Sequence, residues 1–260
     1  MGRNDMDLGL KGARVIVTAG AGGIGRAIVD GFLAEGARVA VCDIDEQALA
    51  TLPEGIFASH VDVADEQALT HFVDASIAAL GGLDCLVNNA GIAGPTGRVE
   101  EIDLADWERC LRIVLTSQFL TVGRAVPALR ESDNPSIINL SSVAGRVGFA
   151  LRTPYAAAKW GVIGLTKSLA IELGEAGIRV NAILPGLVAG ERQRRVLEAK
   201  AQRLGKSFAD VEQEAFSYTS IKEYVEPEQI AAQVLFLAGT TGKTISGQAI
   251  SVCGDTRMLA

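Results

Sequence analysis

Ser142, Tyr155 and Lys159 bring together a hydroxyl, a phenol thirteen residues later and an amine four residues beyond the phenol. Positions four apart on a helix share one face, so a helix beginning near Pro154 sets the Lys159 ammonium beside the Tyr155 hydroxyl. A free tyrosine titrates near ~10, and moving it to about 7 takes roughly 4 kcal/mol of preferential phenolate stabilisation. One cation about 4 Å away, at an effective dielectric of about 20, supplies an energy of that order. Burial of the phenol works the other way. A second positive charge would help, and an oxidised nicotinamide carries one. Tyr155 is thus a candidate general base for alcohol oxidation and general acid for carbonyl reduction.

A Tyr and a Lys one turn apart are more often a surface pair, so the surrounding elements decide. Arg14 to Thr18 is a short β-branched run that reads as a strand. Ala19-Gly-Ala-Gly-Gly-Ile-Gly25 follows, then Ala27, Ile28, Phe32 and Leu33 at helical spacing. Strand, glycine-rich turn and helix N-terminus together offer backbone N–H groups to a pyrophosphate, which makes Gly20, Gly23, Ile24 and Gly25 candidate cofactor contacts. The next apolar run, Ala37 to Cys42, ends on Asp43, about the ~20 residues downstream expected of a carboxylate that binds the adenosine ribose. Asp43 repels a 2′-phosphate, and no Arg or Lys stands between Cys42 and Glu46 to bind one, so NAD is favoured over NADP.

With these residues in order, the chain resembles the short-chain dehydrogenase/reductase family, in its branch of compact single-domain enzymes, from about Leu10 to Met258. Asn88-Asn89-Ala90-Gly91 is similar to the family segment that steadies the central sheet beside the cofactor. Asp62-Val63 resembles its adenine-contacting pair, and Pro185-Gly186 with Val188 its loop over the nicotinamide carboxamide. The resemblance implies that Ser142 is the catalytic serine, Tyr155 and Lys159 its partners in catalysis and in holding the cofactor, and that the protein forms dimers or tetramers through the regions Leu104 to Leu129 and Tyr155 to Leu173. Departures accompany the matches. Ala19 stands where the family usually has Gly, Gly190 lies near the place of a common Thr, and Cys253 replaces a common Asp. Val114 occupies the position of an Asn that, by resemblance, supports a water in a proton relay from the lysine. Either a backbone carbonyl still holds that water or the relay is impaired.

Strand-like runs near Arg14, Val39, Phe57, Leu83, Ile137, Val180 and Ile250 alternate with helical patterns. This predicts an α/β fold: a doubly wound, Rossmann-type parallel sheet of about seven strands, residues 1–260 forming one domain. Ligands of such sheets bind beyond the carboxyl ends of the strands, where Gly20, Asp43, Asn88, Ser142 and Pro185 all fall. A 260-residue chain can bury one large core, and 48% hydrophobic against 21% charged residues argues for a folded globule. The net charge of −7 argues against nucleic acid as a partner. Cys42, Cys85, Cys110 and Cys253 lack paired spacing and read as reduced thiols, and His60 and His71 sit in no metal-ligand pattern. Met1 to Lys11 is polar rather than basic then apolar, and no run of about 20 apolar residues could span a bilayer, so a soluble cytoplasmic protein is expected.

The excursion 190–224 is long for a connection and reads as a substrate lid. Its first part carries Arg192, Arg194, Arg195, Lys200, Arg203 and Lys206 against Glu191 and Glu198. With Arg152, this basic stretch suggests an anionic substrate such as a carboxylated or sulfonated polyol or a sugar acid; a solvated helix face is the competing reading. Arg146 reads as structural, and Trp107 and Trp160 as packing residues. The expected activity is hydride transfer between NAD and a secondary alcohol or its ketone. A 3-oxoacyl thioester reductase is the alternative within enzymes, and a cofactor-binding sensor or assembly protein with little turnover is the alternative outside them.

Overall fold

The computed structural model describes residues 6–259; residues 1–5 of the polar N-terminal stretch, and Ala260, lie outside it. The expected alternation is present. Seven strands, β1 (Arg14–Thr18), β2 (Arg38–Asp43), β3 (Phe57–His60), β4 (Cys85–Asn88), β5 (Ser136–Leu140), β6 (Arg179–Pro185) and β7 (Ala249–Val252), form one parallel sheet in the order β3-β2-β1-β4-β5-β6-β7.

Side chains alternate across each strand, and a sheet covered on both faces is apolar along most of its strands, with its few buried polar residues mostly hydrogen-bonded. Val15 and Val17 accordingly join one buried cluster with Ile28, Phe32, Val39 and Val234, while Ile16 joins the other with Leu69, Phe72, Leu86 and Ile137. Helices α1 (Gly23–Ala34) and α9 (Pro227–Ala238) pack together against the first face. On the second lie α3 (Glu66–Leu80) and α5 (Ser117–Leu129). Local chemistry sets several boundaries: the Asp65 carboxylate accepts the Ala68 amide to start α3, and Gly81 takes the left-handed φ of 71° that ends it. The short α2 (Glu46–Leu49) follows β2. Helix α4 (Leu104–Leu111) runs into α5 through a π-helical turn, Arg112–Thr116, with no break in the helical backbone.

The chain crosses from one side of the sheet to the other between β1 and β4, and the crevice opens beyond their carboxyl ends. At the opposite edge of the central strands, Arg14 grips the Asp84 carboxylate through Nε (2.9 Å) and Nη2 (2.6 Å), and the Ser132 hydroxyl donates to the same group (2.6 Å). Burial pushes the Asp84 carboxyl up, but the Arg14 and Ser132 hydrogen bonds outweigh it and hold it below the usual range. Beyond β6 the excursion folds into two helices, α7 (Glu191–Leu204) and α8 (Phe208–Ser217), packed around Leu197, Ala201 and Val211. Among the described residues no helix is long and apolar enough to cross a membrane, and no group of His, Cys, Asp and Glu could hold a metal ion. Cys42, Cys85 and Cys110 are buried free thiols; burial pushes Cys42 up to about 12 and Cys85 to about 11.

Candidate active site

Helix α6 (Thr153–Glu172) begins with Pro154 in its first turn, where a missing N–H costs nothing, and so sets Tyr155 and Lys159 on one face as the spacing predicts. Ser142 follows β5 in extended backbone and is buried. Tyr155 and Lys159 line, with Ser142, a cavity of about 460 Å³. The Lys159 ammonium is buried, donates to the Leu140 carbonyl (2.7 Å) and lies 5.7 Å from the centre of the Tyr155 ring. Burial alone would raise the Tyr155 phenol; the charges of Lys159, Arg192 and Arg152 and the nearby Ser142 hydroxyl together bring it below its ordinary value. Burial likewise drives Lys159 down to about 8, with Tyr155 opposing and Arg192 adding to the fall. The extra positive charge that the sequence assigns to nicotinamide is therefore supplied in part by two arginines.

One end of the cavity is a glycine-rich cradle. A Cβ on Gly25 would lie 2.1 Å from the Ala19 carbonyl oxygen, and one on Gly20 2.8 Å from Val41, so these glycines let the helix press onto the sheet. Gly22 and Gly23 instead face open space, and no side chain caps the start of α1. Its first amides are left for an acceptor such as a pyrophosphate. Asp43, at the end of β2, accepts the Ala21 amide (3.0 Å) and the Asp45 amide (3.1 Å), which fixes its carboxylate at the rim. Asn89 braces the turn by donating to the carbonyls of Thr18 (3.0 Å) and Ala19 (2.8 Å). Asn88 bridges β4 to β5 through Asn139 (2.9 Å). This donor set fits a dinucleotide. Of the expected cofactor contacts, Gly23, Ile24, Gly25, Asp43, Asn89, Gly91, Tyr155, Lys159, Pro185, Gly186 and Val188 line the cavity. Gly20 and Ala90 are buried behind it; Asp62 is exposed and Val63 joins the core, both away from its lining.

The other end is walled by Val143, Phe149, Leu187, Val196 and Leu259, with Arg152 and Arg192 among them. The charge of the basic first part of the 190–224 excursion is more nearly balanced than its own residues suggest. Arg194 pairs with Glu198 (2.8 Å), Arg195 with Glu191 (3.2 Å), Lys206 with Glu214 (2.8 Å) and Arg203 with Glu101, so two glutamates from outside the basic stretch meet half of its positive excess. Arg146 is structural, bonding Ser251 and the Ala249 carbonyl beside β7. Trp160 is not packed within the chain as expected: it stands 51% exposed on α6. Trp107 is half-buried.

Two features had no signal in the motifs. The tail reaches back so that Leu259 bridges Phe149 and Thr256 joins the wall, a long-range contact that no local pattern encodes. Gln118 is the second. Its Nε2 donates to the Val114 carbonyl (3.0 Å) and lies 3.5 Å from the Leu140 carbonyl that holds Lys159, while its Oε1 is buried without a partner. The carbonyl at position 114 is thus engaged by a side chain one turn away. A polar residue at i+4 from the apolar Val114 was the available clue.

A family model described as enoyl-(acyl carrier protein) reductase matches residues 18–254. The chain is 36% identical to trans-4-hydroxycyclohexanecarboxylate dehydrogenase of Sinomonas cyclohexanicum, over 92% of this chain and 90% of that one. It is 37% identical to a 3-alpha-(or 20-beta)-hydroxysteroid dehydrogenase of Mycobacterium bovis, over 95% and 90%. Among solved structures it is similar to levodione reductase, with a TM-score of 0.87 and 29% identity over 94% of this chain and 97% of that one. With a sheet of this order, a glycine-rich cradle and a Ser, Tyr and Lys gathered at the strand ends, the chain belongs to the short-chain dehydrogenase/reductase family, whose members use nicotinamide cofactors.

Proposed function

We propose that the protein is an NAD-dependent dehydrogenase that interconverts a secondary alcohol and its ketone, the substrate carrying an anionic group. The geometry that carries the reading is the gathering of Ser142, Tyr155 and the buried Lys159 ammonium, 5.7 Å from the centre of the Tyr155 ring, in one cavity beside the glycine-rich cradle. In the direction of oxidation Tyr155 takes the hydroxyl proton and Ser142 hydrogen-bonds the oxygen as charge develops on it. Lys159 favours the phenolate and offers its ammonium to the nicotinamide ribose. A bound nicotinamide dinucleotide supplies the acceptor or donor of hydride. Gly22, Gly23 and the first amides of α1 would hold its pyrophosphate, and Asp43 its adenosine ribose. A carboxylate at that rim, already held by two amides, supports NAD over NADP. That a similar protein acts on a hydroxycyclohexanecarboxylate, a secondary alcohol with an anionic group, supports the substrate class.

The test is steady-state reduction of NAD and NADP against a panel of polyols, sugar acids, hydroxy acids and hydroxyacyl thioesters. NAD should exceed NADP in kcat/KM by at least tenfold, and Tyr155→Phe should lower kcat by about 10²–10⁴, the range of general acid–base catalysis. Full activity in that variant overturns the mechanism, and a preference for hydroxyacyl thioesters with NADP favours the thioester reductase instead.

A further inference from the structure

Arg152 is a buried cation with no carboxylate partner among the described residues. It is 4% exposed, its Nη2 donates to the Ala93 carbonyl, and its Nε has no partner. The groups that bear on its charge are Tyr155, Arg192 and Cys110, a phenol, a second cation and a thiol. Guanidinium stays protonated in proteins, and burying it uncompensated costs several kcal/mol. The backbone adds to this: Leu151, the residue before it, is held at φ 62°, a left-handed conformation unfavourable for a branched side chain, with its carbonyl accepting the Gly97 amide (3.0 Å). Two costs are borne to hold this side chain between the Phe149 and Tyr155 rings, 5.4 Å from the centre of each.

Arg192 is a further cation of the cavity, besides Arg152 and the Lys159 ammonium. It opens α7 and lines the same wall, and among the described residues it has no ion pair, whereas Arg194, Arg195, Arg203 and Lys206 each have a glutamate. The lid therefore neutralises cations that point elsewhere and leaves bare the one at the pocket. Between the two arginines and Ser142 the wall is hydrocarbon: Val143, Phe149, Leu187, Val196 and Leu259. Thr256 spends its hydroxyl on the Cys253 carbonyl, Ser141 donates to the Lys159 carbonyl and Glu191 is paired to Arg195, which leaves Gln193 as the main uncharged polar side chain at this end for a chain of substrate hydroxyls.

We propose that Arg152, assisted by Arg192, is the binding site for a substrate carboxylate, and that the substrate is a compact hydroxy acid or oxo acid with a hydrocarbon skeleton rather than a polyol. The planar fork of a guanidinium matches the two oxygens of a carboxylate. The apolar walls take the carbon skeleton, and its carbinol carbon falls at Ser142 and Tyr155. This rests on the dehydrogenase reading of the same cavity, yet its test separates the two.

Calorimetric titration of the NADH-loaded protein with benzoate and with benzamide, neutral and nearly the same shape, measures the subsite without any reaction. Benzoate should bind at least tenfold more tightly, Arg152→Gln should erase that preference, and Arg152→Lys should keep part of it. Arg192→Gln, on an exposed helix face where folding is not at risk, should reduce the preference severalfold. Equal binding of the two probes, failure of benzoate to bind, or an unchanged preference in Arg192→Gln together with Arg152→Gln overturns the subsite. In parallel, reduction of 3-acetylbenzoate and 3-acetylbenzamide by NADH should show the same charge preference in kcat/KM, with KM carrying most of it. Charge-dependent binding with no reduction of these or any other ketone leaves the subsite standing and removes the dehydrogenase reading.

Discussion

Position 114 shows what a single residue type discloses and what it conceals. A valine there removes a side-chain amide that the family resemblance leads one to expect. The structure has an amide in the neighbourhood all the same, brought by Gln118 from the next turn. The clue was present in the sequence, but its meaning depends on the fold: the carbonyls of residues 113 and 114 lie in a π-helical turn and accept from Ser117 (2.7 Å) and Gln118 (3.0 Å), four residues on, and the same Gln118 amide lies 3.5 Å from the Leu140 carbonyl. Gln118→Leu leaves the Val114 carbonyl without that donor and the Leu140 carbonyl with Lys159 alone. The expected outcome is a loss of about 1–3 kcal/mol in stability, read by denaturant unfolding, with a lower kcat and a displaced pH profile. Unchanged kinetics would leave Gln118 a purely structural group. Ala19 is a plainer case. It adopts φ 51°, the left-handed region in which glycine is at ease, so the family's usual Gly has a backbone reason and this chain carries about 1–2 kcal/mol of local strain at the cofactor turn.

At the level of elements the legible parts were those with a short-range code. All seven strands were visible as short strand-like runs, most of them β-branched, though β3 (Phe-Ala-Ser-His) has no β-branched residue, and the start of α6 was announced by Pro154. The charge of the lid was legible as a sum but misleading as a pattern, because Glu101 and Glu214, which neutralise Arg203 and Lys206, lie outside the counted stretch. Ion pairs across elements are invisible to local counting. The same is true of Arg14 and Asp84, seventy residues apart, which tie β1 to the start of β4. Asp84→Asn should cost about 1–3 kcal/mol, several degrees in Tm for a chain of this size. Its native carboxyl is depressed below the ordinary value, so the contribution is present at neutral pH and is lost as the pH falls through the depressed native pKa. The native protein should therefore lose stability more steeply than Asp84→Asn as the solution is acidified into the range below about pH 4, and parallel acid-unfolding curves would contradict the assignment.

For the whole molecule, the exposed apolar side chains are informative. Phe119 on α5 is 61% exposed, Trp160 and Ile171 on α6 are 51% and 83% exposed, and none of them serves the cavity. Single exposed hydrophobics are ordinary, but large ones on the two helices through which relatives are expected to pair favour a second copy of the chain as the cover. Light scattering should give a dimer or tetramer, and Phe119→Glu with Trp160→Glu should shift it toward the monomer; a native monomer would discard the idea. The cavity itself divides the chain in two. Its glycine-rich end is built by segments up to Gly91, with Tyr155, Lys159, Pro185 and Gly186 between the two ends, and its apolar end by the loop after β5, the stretch from Leu187 to Val196 and the tail near Leu259. Those three short stretches hang from a sheet they do not help to build. Selection can thus rewrite what such an enzyme accepts without reopening the problem of how it folds or which coenzyme it holds.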